Sequence, residues 1–264
     1  PILGEELSAL VRNLNAEGNN HWTKNSRRWL SFGRFWLEVP RRFVDGTIDK
    51  GEVAKIAQNA WFDIINAADD HYKPGEFTTF VAYEFTSSPT ESELHRNVIF
   101  RSSAKLPKEP FSQYHSQNPE SLWDWMDGLR DQEIESLAIP HNANYSNGQM
   151  FKLEDWAGNP VDDAYAEQRM RNEPLVEITQ VKGTSETHPL LSKNDEWATF
   201  ELEEGTNFQL EAAAPTSQVG NYVRDAYLHG LSIEAGGILN PYKFGLIGSS
   251  DTHIAASPVD EQDY

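Results

Sequence analysis

Helical and strand-like segments take turns along this chain, and that alternation restricts it to α/β architectures. Glu52 to Asp70 carries Val53, Ile56, Ala57, Ala60, Ile64 and Ala67 at spacings of three and four, the pattern of one helix face. Pro74-Gly75 ends that segment, since neither residue continues a helix. Two β-rich runs follow, Phe77 to Phe85 and His95 to Arg101. Pro119 to Arg130 reads as a helix, with Asn118 as its N-cap and Glu120 in its first turn. Leu137 to Pro140 is a short apolar strand, Val161 to Asn172 a helix and Leu175 to Gln180 a strand. Gly220 to Ile233 is a further helix and Phe244 to Gly248 a further strand, while Leu3 to Asn15 is a short helix near the start. The repetition predicts a largely parallel sheet or barrel, in one domain over residues 1–264. Residues 16–51 and 181–218 lack periodicity and read as long functional loops.

Three of the strands stop on residues of metal-ligand type. Phe80-Val-Ala-Tyr runs into Glu84, Leu137-Ala-Ile-Pro into His141, and Phe244-Gly-Leu-Ile-Gly-Ser-Ser into Asp251-Thr-His253. In an extended chain residues two apart point the same way, so Asp251 and His253 face one point. Taken singly, an exposed strand-end Glu or a hydrogen-bonded surface His is the commoner reading; three together are hard to obtain from surface chemistry. His95 opens the second β-rich run, and if the first two runs pair as a hairpin it lies near Glu84. α/β folds place their sites at the carboxyl ends of strands.

Composition narrows the chemistry. The chain has no cysteine, so a metal here must take nitrogen and oxygen donors. A net charge of −19, with only a weak basic cluster from Lys24 through Arg28 to Arg34, Arg41 and Arg42, argues against nucleic acid as a partner. No run approaches the roughly 18 apolar residues that a membrane helix needs. The eight tryptophans form no single stripe, which weakens the reading of an acidic carbohydrate- or partner-binding module.

Five segments together carry a family resemblance: Gly75 to Ser87, His95 to Arg101, Ala138 to Asn144, Gln180 to Pro189 and Gly245 to His253. They resemble domain-of-unknown-function family 3604, which is similar to the PHP (polymerase and histidinol phosphatase) superfamily of metal-dependent hydrolases. The resemblance implies a distorted (β/α)7 barrel with two or three metal ions at the carboxyl ends of its strands. By motif, Glu84 matches the bridging carboxylate, His95 and His141 match histidine ligands, and Asp251 and His253 match the final Asp-x-His pair. Glu84, His141 and Asp251 are thereby the implied catalytic centre. The family pattern opens with a His-x-His strand that this chain lacks, and Asp70-His71 sits at a helix end instead. The expectation is therefore a partial PHP-like barrel lacking its opening strands, truncated at both ends.

The implied reaction is metal-assisted hydrolysis of a small-molecule substrate, with phosphoester cleavage ahead of amide cleavage. Histidine and carboxylate donors suit Zn²⁺, Mn²⁺ or Fe²⁺ alike. Asn142 and Asn144 beside His141, and Glu186 and His188 in the loop after Lys182, are the candidates for substrate contact. An amidohydrolase-like enzyme is the alternative, and its usual mark, a carboxylated lysine at a strand end, is not evident.

Overall fold

A computed structural model describes residues 50–89, 92–203 and 218–252. The expected helix at Leu3 to Asn15 and the candidate ligand His253 lie outside the described residues. The chain divides into two compact units, Pro1–Asp63 and Ile64–Tyr264. Glu84, His95, His141 and Asp251 all belong to the second.

Helix α1 spans Lys50–His71 and closes with the His71 ring on the Ala67 carbonyl, 2.9 Å away. A turn then bridges Lys73 to Phe77 around Gly75, whose φ of +81° is left-handed, and Thr79 Oγ1 donates to the Ala68 carbonyl at 2.7 Å. Those bonds engage the segment after the helix, so β1 covers Ala82–Phe85 rather than starting at Phe77.

Strands β1, β2 (Arg96–Phe100) and β3 (Ser136–Pro140) form one sheet in that order, and both pairings are antiparallel. This corrects the expectation of a largely parallel sheet. The connection 86–95 is shorter than the dozen or so residues that a parallel crossover needs, so β2 has to return beside β1. The second sheet has the order β5-β4-β6, from β4 (Leu175–Gln180), β5 (Gly183–Thr184) and β6 (Gly245–Gly248). Here β4 and β6 are parallel, β5 folds back antiparallel, and β3 lies alongside β4. The described strands make a mixed α/β fold of two small sheets and no closed barrel.

Helix α2 (Pro119–Arg130) begins where Asn118 Oδ1 accepts from the Glu120 N–H at 2.8 Å, and it buries Leu122, Trp123, Met126 and Leu129. Such a cap contributes about 1 kcal/mol. Helix α3 (Asp163–Asn172) is capped by Asp162, one residue inside the expected start, and its buried face carries Ala166, Arg169 and Asn172. Helix α4 (Val223–Ala235) buries Val223 and Ala226 against a core that includes Leu94, Phe151, Val176, Tyr242 and Phe244.

A buried ionic cluster ties these elements together. Glu173, 1% exposed, accepts from Arg96 Nε and Trp123 Nε1, each at 2.9 Å, and meets Arg169 Nη2 at 3.1 Å. Arg169 lies under the rings of Trp123, Phe151 and Tyr242 at 4.9–5.7 Å and donates to the Met150 carbonyl. Burial works to raise the Glu173 pKa, but the two guanidiniums overcome it and hold the carboxyl below its ordinary range. Since Arg96 follows His95 directly, this cluster also anchors the strand start that carries a candidate ligand.

Candidate metal centre

The antiparallel order brings the donors together. β1 and β3 run the same way, so Glu84 near the end of β1 and His141 just after β3 reach one edge of the sheet. β2 runs against them, so His95, the residue just before it, arrives at that same edge. The register pairs Phe85 with Arg96 and Arg96 with Pro140, and the His141 N–H donates to the His95 carbonyl at 3.2 Å. Residues opposite each other share a face, as do residues two apart, so Glu84, His95 and His141 project on one side.

Glu84 Oε1 lies 3.1 Å from His95 Nδ1 and 3.2 Å from His141 Nε2, and one donor atom from each of the three residues falls within 4.8 Å of the others. Ligands sharing an ion at bond lengths of about 2.0–2.2 Å sit roughly 3–4 Å apart, so the residues fit a divalent metal. One carboxylate with two imidazoles is a donor set used for Zn²⁺ and Fe²⁺. Burial would raise the Glu84 pKa, but hydrogen bonds and charge from His141 and His95 hold it well below the usual carboxylate range. For His141, 1% exposed, burial opposes the charged ring, yet Glu84 and then the charges of Glu177 and Asp251 push its pKa up. His141 Nδ1 also lies 3.4 Å from the Ile139 carbonyl, a bond that would orient the ring with Nε2 toward an ion.

The ends of the second sheet supply further charge. Asp251 follows β6 in a left-handed conformation, φ +53°, which aspartate enters more readily than most non-glycine residues. Its Oδ2 lies 2.5 Å from Lys182 Nζ. Glu177, in the middle of β4 and 3% exposed, accepts from Ser249 Oγ, and burial raises its pKa, with the Asp251 charge adding to the rise. The sequence reading missed both Glu177 and Lys182. A signal for the first existed, a lone carboxylate between Val176 and Ile178 in an otherwise strand-like run.

The candidate substrate residues are placed as follows. Asn142, fully buried and left-handed at φ +55°, donates to Glu93 Oε2 at 3.0 Å and accepts from Gln180 Nε2, so both ends of its amide are engaged within the protein. Asn144 donates to the Lys182 carbonyl and accepts from Ser185 Oγ, each at 3.0 Å. The Glu186 carboxylate is held by Arg224, which also grips Asp195 at 2.5 Å. His188 is 8% exposed, its Nδ1 accepts from the Leu190 N–H at 3.1 Å, and its ring packs 5.6 Å from Tyr222. A cleft of about 670 Å³ opens elsewhere, lined by Glu120, Asp155, Asp162, Glu167 and Arg171. Two of its acids serve local structure, Asp162 capping α3 and Asp155 closing a turn onto Asn159.

A family model described as a protein of unknown function (DUF3604) matches residues 3–264. No curated protein and no solved structure matched. Among the described residues, no helix is long and apolar enough to cross a membrane.

Proposed function

The chain belongs to the DUF3604 family, and from that premise we propose that it is a PHP-like metal-dependent hydrolase acting on a small phosphoester. The observation that supports this reading most is the convergence of Glu84, His95 and His141 from three strand ends onto one face, with donors within 4.8 Å. In this reading the two sheets are part of a PHP-like barrel. Zn²⁺, Mn²⁺ or Fe²⁺ would be held by those three residues, and Asp251 with His253 would extend the site to two or three ions. A bound ion supplies a water of lowered pKa as nucleophile and a positive charge for the substrate's oxygen.

The chain's own residues do the rest. Glu84 carries the negative charge that lets cations gather, and its low pKa keeps it ionised across the working range. Asn142, engaged at both ends, positions His141 by fixing the backbone beside it. Asn144 holds the Lys182 turn toward the site. Glu177, buried with a raised pKa, is suited to hold a proton near the reacting group.

Elemental analysis and hydrolysis of an aryl phosphomonoester test the proposal. Glu84→Ala should lose both metal and activity, whereas Asn144→Ala should keep its metal. Full metal content and turnover in Glu84→Ala would exclude this site.

A further inference from the structure

We infer that Lys182 is the anion-binding residue of this site and that the group it receives is a phosphoryl oxyanion; the inference rests on the metal-hydrolase reading above. The Lys182 position is tightly built. β4 ends at Gln180, and Val181-Lys182 turns directly into β5, with Gln180 paired to Gly183. Gly183 has φ +93°, and a Cβ there would meet Glu203 Cβ at 2.4 Å and its backbone N at 2.9 Å, so the turn admits no side chain. The Lys182 N–H donates to Gln180 Oε1 at 3.2 Å, and its carbonyl accepts from Asn144 Nδ2 at 3.0 Å. With the backbone held on both sides, the side chain reaches Asp251 Oδ2 at 2.5 Å.

An ion pair at the mouth of two strands has a simpler reading, a clasp joining β4 to β6. Three features favour a binding role. The Asp251 partner is a candidate metal ligand, and Gln180 and Lys182 are bonded to Asn142 and Asn144, the segment directly after His141. An ammonium has three donors and Asp251 Oδ2 takes one, while the Lys182 side chain keeps 26% of its surface open against 10% for Asp251. The surroundings are otherwise acidic, with Glu84, Glu177 and Asp251 at the site of a chain of net charge −19. An anionic substrate entering such a field needs a fixed cation beside the metal, and lysine serves phosphate as a point charge.

The test uses the 264-residue chain, titrated first with Mn²⁺ and then, once loaded, with inorganic phosphate or acetate at constant ionic strength. Wild type, Lys182→Gln and Lys182→Arg should take up Mn²⁺ with the same stoichiometry. Lys182→Gln should bind phosphate about tenfold more weakly, the weight of one charge-assisted hydrogen bond, while Lys182→Arg stays within about threefold of wild type. Phosphate affinity unchanged in Lys182→Gln would reduce the lysine to a clasp. Lost Mn²⁺ in that variant would make it a support for Asp251. Tighter binding of acetate than of phosphate would overturn the phosphoryl assignment. A wild type that takes up no Mn²⁺ would remove the metal reading itself, and this inference with it.

Discussion

Replacing Glu173 by Gln keeps the shape of the side chain and an acceptor for Trp123 but removes the only carboxylate that, among the described residues, pairs with Arg96 and Arg169. Both arginines are 2% exposed, so each charge would stay inside the protein with only neutral partners: backbone carbonyls, the Tyr165 hydroxyl, aromatic faces and the new amide oxygen. Breaking a buried pair by removing one partner costs about 3–5 kcal/mol, a large share of the roughly 5–15 kcal/mol that holds a domain folded. With a urea slope of about 2 kcal/mol/M, the midpoint should fall by roughly 1.5–2.5 M. Acid supplies the control. The folded pKa of Glu173 is depressed, so its contribution is complete above the unfolded value of about 4.3 and is lost as pH falls through the folded one. The gap between wild type and Glu173→Gln should therefore close in acid. A loss below about 1 kcal/mol at neutral pH, or a gap that widens in acid, would refute the account of this cluster.

Metal uptake should release protons. The His141 pKa is raised in the metal-free protein, so binding near pH 7 should expel more protons than an unshifted imidazole would release, and apparent affinity should weaken as pH falls. Calorimetry in two buffers of different ionisation enthalpy reads this directly, and identical heats would contradict it. Asp127 clasps α2 to α3 through Arg171 and Asn172, and pairs with Arg130 within α2. Burial opposes its ionisation, but bonds from Arg171, Asn172 and Gln168 bring its pKa down to about 2. Stability from this group is then present above about pH 4 and lost as pH falls toward 2. Asp127→Asn should cost about 1 kcal/mol at pH 7, on the scale of a half-exposed ion pair, and its acid-unfolding curve should converge with wild type below pH 2. Parallel curves would assign the stability elsewhere.

Three of the donors were legible in the sequence because strand ends are local: an apolar run, then a chemically distinctive residue. Glu84 and His141 needed only that rule, and His95 needed the further guess of a hairpin, which the β1–β2 pairing bears out. The cap at Asn118 and the span of α2 were equally local, set by a side chain bonding an amide two residues on.

What tertiary structure decided was everything carried by pairing between distant segments. Strand direction depends on which edge each strand finds, so antiparallel β2 replaced the parallel arrangement that alternation suggested. Glu177 and Lys182 became site residues only because β4 lies parallel to β6, which brings Ser249 to one and Asp251 to the other. Likewise, Arg96, Arg169 and Glu173 look like surface residues in sequence. Their burial is compensated because Glu173 supplies the opposite charge to both arginines, and such compensation exists only between residues that meet in space.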